Sequence, residues 1–159
     1  EVSKGKFEDV DVKRIVKQVH DADIEIMANY IFGLPGDDEK SINKTYQLSE
    51  ELCTSGWNTY AAMALPGSQL YKNAIEQNIK LPENYEGFSF HSYNTQPLPT
   101  ENLSADKILE LRDQAFIKYH SNKNFLERVK NKFGEKAVEN IKKMAEIKLP
   151  RKIIEERKN

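Results

Sequence analysis

The chain has a single cysteine, Cys53, in 159 residues. It therefore cannot form an intrachain disulfide or build an all-cysteine metal site from its own residues. Long apolar runs are also missing: none approaches the roughly 20 residues of a membrane helix, and no secretory signal is visible. Neither sign of charge dominates, with 24 basic and 25 acidic residues and a formal net charge of −1. Bulk charge thus gives no reason to expect a nucleic-acid partner. Basic residues thicken after Lys142, but acids are interleaved there, which describes a solvated helical face rather than a polyanion site. Glycine and proline are sparse, at seven and six, so their positions act as punctuation. The expectations at this level are no membrane, no nucleic acid and a cytoplasmic setting.

Charged residues at 31% and hydrophobic ones at 38% suit one domain with much exposed helix. Val12, Ile15, Val16 and Val19 follow helical spacing behind Asp9 or Asp11 as a cap. The run IEIMANYIFGLP is rich in strand formers and apolar on both faces, which predicts a buried parallel strand stopped by Pro35 and Gly36. Asp37 is the expected cap of a helix from Glu39 to Thr54, with Ile42, Tyr46, Leu48 and Leu52 inward and Gly56 closing it. NTYAAMALP is a second strand, Ser68 a second cap, and a helix follows from Gln69 to Gln77.

Strand, Leu-Pro-Gly turn, cap and helix thus occur twice, with Leu34 and Leu65 31 residues apart. That interval is about one βα repeat. A helix joining two strands implies parallel pairing, so both turns should lie on one sheet edge, where ligands bind in open α/β sheets and barrels. The segment 81–103 is irregular but carries Tyr85, Phe88, Phe90, His91 and Tyr93, too much aromatic surface for a solvated linker. Residues 104–159 read as helices, with Ser104 and Asn124 as caps, Leu126, Val129 and Phe133 inward in one helix, and Val138, Ile141 and Met144 inward in the next.

Each candidate site has a plain alternative. The glycine-bearing turns could hold an anion on backbone N–H groups, but Asp37 and Asp38 repel phosphate there. His91 could be a general base or a packed loop residue. His20 and His120 stand near helix C-termini, where a charged imidazole suits the dipole, and the three histidines have no ligand-like spacing. Cys53 beside Leu52 reads as a buried, inert thiol.

Several stretches together carry a family likeness: SKGKFEDVDV, ANYIFGLPGDDEKSINKT, YAAMALPGSQLY, LPENYEGFSFHSYNTQPLPT and LRDQAFIKYHSN. In combination they resemble the C-terminal half of radical SAM enzymes, of the Fe–S oxidoreductase type that often carries a cobalamin-binding-type domain at its N-terminus. The resemblance implies an α/β fold: a partial (β/α) barrel fragment with two parallel βα units in residues 1–80, an aromatic loop over 81–103 and a helical C-terminal region. It implies a parent enzyme in which a CxxxCxxC loop holds a [4Fe–4S] cluster and SAM binds the remaining iron, with cobalamin a further cofactor of some members. The family's GxIxGxxE-like adenine strand corresponds to Asn29 through Gly36 here: Ile31 and Gly33 match, Asn29 replaces the first glycine, and Gly36 stands in place of the acid. Met63 and Leu65 would border SAM at the end of the next strand, and His91 and Tyr93 would face substrate.

With one cysteine, this chain alone should hold no cluster and perform no radical chemistry. The start at Glu1 reads as an excised piece whose partner is the N-terminal half of the same barrel. Without that half, the open strand edge should be hidden by self-association or by the C-terminal helices. The competing reading is a non-catalytic α/β interaction module with a helical tail.

Overall fold

The computed structural model describes residues 9–158, so SKGKFEDVDV lies mostly outside the described residues. The order is α1 (Val12–Asp21), β1 (Met27–Phe32), α2 (Glu39–Leu52), β2 (Gly56–Ala61), α3 (Gln69–Glu76), a 3-10 turn (Tyr85–Phe88), α4 (Ala105–His120), α5 (Lys123–Phe133), α6 (Glu135–Glu146) and α7 (Lys152–Lys158). The protein is a mixed α/β structure, mostly helical, around a two-stranded parallel sheet in which Met27 lies opposite Gly56 and Phe32 opposite Ala61. Among the described residues no helix is long and apolar enough to cross a membrane.

β1 corrects the expectation of a strand buried on both faces. Its exposure alternates: Ala28, Tyr30 and Phe32 turn inward, while Met27 and Ile31 are 62% and 48% exposed. β2 alternates in step, with Trp57, Thr59 and Ala61 buried. Side chains of a strand alternate between faces, and among the described residues the helical core packs on the face that carries Phe32, Trp57 and Ala61. Trp57 stacks on Tyr119 of α4 at 4.7 Å between ring centroids, and the Tyr119 hydroxyl donates to Thr54 O at 2.9 Å. Phe32, Ile108, Phe125, Val129 and Val138 complete that core.

The helix ends differ from the expected ones in instructive ways. Asp38, not Asp37, caps α2: its carboxylate accepts from Ser41 N at 2.7 Å, and Ser41 Oγ accepts from Asp38 N at 3.0 Å. α2 ends at Leu52 because Cys53 turns into the left-handed region at φ 44°, and Gly56 begins β2 instead of closing the helix. Asn122, not Asn124, caps α5, accepting from Asn124 N and Phe125 N. This phase buries Phe125 and leaves Phe133 56% exposed. Met144, expected inward, is 38% exposed on α6.

The C-terminal part closes on the β2 side. Arg112 Nε donates to Thr59 O at 2.8 Å, and Leu98 N donates to Ala62 O at 2.9 Å. Among the described residues no strand lies beside the other edge of β1.

Candidate functional site

Both Leu-Pro-Gly turns follow strand C-terminal ends, and between them lies a hollow of about 290 Å³. Ile31 and Leu34 from the first unit, and Tyr60, Met63, Leu65 and Leu70 from the second, form its walls. Its fourth side comes from the aromatic loop: the Phe90 ring sits 4.8 Å from that of Tyr60, tilted by 55°. The lining is almost wholly apolar, a surface suited to a flat ring rather than to a phosphate.

The first turn is internally tied. One Asp37 carboxylate oxygen accepts from Gly33 N at 3.0 Å and Leu34 N at 3.1 Å, and the other accepts from Ser41 Oγ at 2.7 Å. The Asp37 carbonyl in turn accepts from Thr100 Oγ1 at 2.8 Å and from Asn102 Nδ2 at 3.3 Å. Two N–H groups expected to be free for a ligand are therefore already paired with an acid of the turn itself. Gly33 adopts φ +81°, and a Cβ there would come within 2.8 Å of Ile108 Cγ2, so only glycine fits between the turn and α4.

The residues singled out from sequence separate into two places. Ile31, Met63 and Leu65 line the strand-end hollow. Asn29 lies lower on the same open face, accepting from Asn58 Nδ2 at 3.2 Å across the sheet. Gly33 forms the turn above α4. His91 lies elsewhere: it lines a second hollow, on the helix side, with Arg112 and Phe116. Tyr93 docks α7, its hydroxyl donating to Glu155 Oε2 at 2.8 Å, and that bond holds the phenol's pKa up. Phe90 is thus the loop residue that reaches the strand ends, although its aromatic neighbours carried the same sequence signal.

The loop's path depends on Arg151, which the sequence marks only as part of the helical region 104–159. Arg151 is 3% exposed. Its Nη1 donates to Phe90 O at 2.8 Å, Ser92 O at 3.0 Å and Thr95 Oγ1 at 3.1 Å, while Nε and Nη2 grip Asp113. The loop wraps a buried guanidinium, which satisfies carbonyls that would otherwise be stranded.

The remaining titratable candidates are structural. His120 is buried against Trp57, Phe116 and Phe125, and burial lowers its pKa. The expected charged imidazole at a helix end is therefore a neutral core ring. Burial likewise raises the Cys53 thiol, so it is not poised as a nucleophile. Among the described residues no group of three His, Cys, Asp or Glu could hold a metal ion. No family model matches the chain, and no curated protein matches it either.

Proposed function

We propose that this chain forms part of the wall of a (β/α) barrel of the radical SAM type, contributing the adenosine side of a SAM pocket and a cap on the substrate side. One observation carries the reading: the open face of the sheet runs up to an apolar hollow at the strand C-terminal ends, while helices cover the other face. In βα barrels the helices lie outside and ligands bind at that strand end. Ile31, Met63, Leu65 and Phe90 would pack the adenine, with Asn29 and Asn58 offering amide groups lower on the same face. At about 290 Å³ the hollow falls just short of the ~300–1,000 Å³ of complete small-molecule sites, which suits one part of a ligand.

The iron–sulfur cluster does not fit these residues. The only thiol, Cys53, is half-buried at the end of α2 and far in character from a cluster ligand. Cluster chemistry therefore belongs to another half of the barrel, whose strand would lie beside the open edge of β1. With that half absent, a second copy of the chain would cover the same edge.

Sequencing upstream of Glu1 and anaerobic iron–sulfur reconstitution of the longer polypeptide test the proposal. Three closely spaced cysteines and a brown product absorbing near ~400 nm are expected, with this chain alone colourless. A complete reading frame without those cysteines would overturn it and favour the interaction-module reading.

A further inference from the structure

The hollow on the helix side has a different chemistry from the one at the strand ends. It measures about 400 Å³ and lies between α4, α6 and the segment joining α6 to α7. Phe116, Ile117, Met144, Ile147 and Leu149 make its surface mainly apolar. The volume is within the range of small-molecule sites, ~300–1,000 Å³.

Arg112 and Asp113 line it, and Arg151 joins them through Asp113, so the cluster beside the hollow carries an unbalanced charge. Arg112 and Arg151 are 6% and 3% exposed, yet they share one carboxylate. Arg112 Nη1 donates to Asp113 Oδ1 at 2.8 Å, and Arg151 donates to both Asp113 oxygens at 2.8 and 3.0 Å. Among the described residues no second acid pairs with either guanidinium. Backbone carbonyls take up further donors: Arg112 Nε on Thr59, and Arg151 Nη1 on Phe90 and Ser92. Arg112 Nη2 has no hydrogen-bond partner among the described residues, and its guanidinium lies 5.2 Å from the centroid of the Phe116 ring that lines the same hollow. Two cations against one anion in a largely desolvated site leave an excess positive charge that a buried anion would balance.

We infer that this hollow binds a small amphipathic carboxylate, its apolar body against Met144, Ile147 and Ile117 and its carboxylate on Arg112 Nη2. The anion completes the Arg112–Asp113–Arg151 cluster, and charge-assisted bonds to guanidinium are the strong kind. A phosphate would gain the same charge but lose the apolar walls. A neutral lipid would gain the walls and leave the guanidinium short of an acceptor. The site stands on the opposite face of the sheet from the proposed adenosine wall and does not depend on that reading.

Methyl NMR of this chain tests the site, using sodium octanoate, octan-1-ol and octylammonium at matched ionic strength. Octanoate should saturate and shift the Ile117, Met144 and Ile147 methyls, binding at least about tenfold more tightly than octanol; octylammonium should be weaker still. Met144→Trp, which fills the hollow from its rim without touching the charge cluster, should abolish the shifts. His91→Gln and Lys148→Gln, at the rim, should keep the preference for octanoate. Equal binding of octanoate and octanol would overturn the proposal, as would loss of the preference in either rim variant, shifts confined to other methyls, or no saturable binding.

Discussion

The two faces of the sheet were made from the same two strands but obey different rules. On the helix side, Phe32, Trp57 and Ala61 are buried to within 3% exposure, with Trp57 stacked on Tyr119 and the Tyr119 hydroxyl donating to Thr54 O, while Trp57 Nε1 and Thr59 Oγ1 are buried without a partner among the described residues. On the other side, Ile31 and Tyr60 line an open hollow that Leu70 of α3 also borders, and Asn29 and Asn58 lie lower on the same face. A face that is core must be filled; a face that is half of a site is left with apolar surface that only a ligand or a partner can cover. The contrast teaches that adjacent residues, Ile31 and Phe32, meet opposite environments: one lines the open hollow and the other is sealed in the core.

Substitutions should separate the faces by size of effect. Trp57→Ala removes the centre of the covered face and should cost about 3–5 kcal/mol in chemical denaturation; a much smaller loss would mean that this face is not the core. Asp37→Ala strips the acceptor from Gly33 N, Leu34 N and the Ser41 hydroxyl, and should cost about 1–2 kcal/mol. The N-cap carboxylate of α2 survives in that variant because Asp38 supplies it, so the loss reports the turn and its tie to Ser41.

The covered side also contains an ion pair whose pH dependence has a definite sign. Glu25 precedes β1 and meets Arg128 at 2.9 Å and Lys132 at 3.3 Å, both on α5. Burial opposes its ionisation, but hydrogen bonds from Ser55, Arg128 and Lys132 outweigh it and bring the carboxyl down to about 2 from 4.5. A depressed carboxyl stabilises the fold fully above its unfolded pKa and loses that contribution as pH falls through the folded value. Partial exposure holds the effect to about 1 kcal/mol or less. The stability gap between the parent chain and Glu25→Gln should therefore be constant above about pH 4.5 and close as pH drops toward 2. A gap that widens on acidification would reverse the assignment. The smallest effect belongs to the open face: Ile31→Thr should change stability by no more than about 0.5 kcal/mol, and a loss comparable to that of Trp57→Ala would erase the distinction.

Much of this arrangement was legible in the sequence because its signals are local. The spacing of Leu34 and Leu65, the stops at Pro35 and Pro66 and the Ser68 cap gave two strand–turn–helix units, and the parallel pair follows from the helix between them. What could not be read depended on partners distant in the chain. β1 looks buried on both sides by composition, but only the fold decides that α4 covers one side. Asp37 and Asp38 are both plausible caps, and the choice turned on Gly33 and Leu34 needing an acceptor. Arg112 and Arg151 carry no periodic signal as buried residues, yet they hold β2 and the aromatic loop through carbonyls about 50 to 60 residues away. For the same reason the sequence did not single out Phe90, whose carbonyl Arg151 holds and whose ring reaches the strand-end hollow.

The proposed division between a core face and a ligand face is tested most directly by titrating adenosine into the methyl-labelled chain and following both faces at once. The account predicts shifts at the Ile31, Met63 and Leu65 methyls, with those of Ile108 and Val129 unmoved. Shifts on the helix-side core, or none at the strand ends at saturating adenosine, would contradict it.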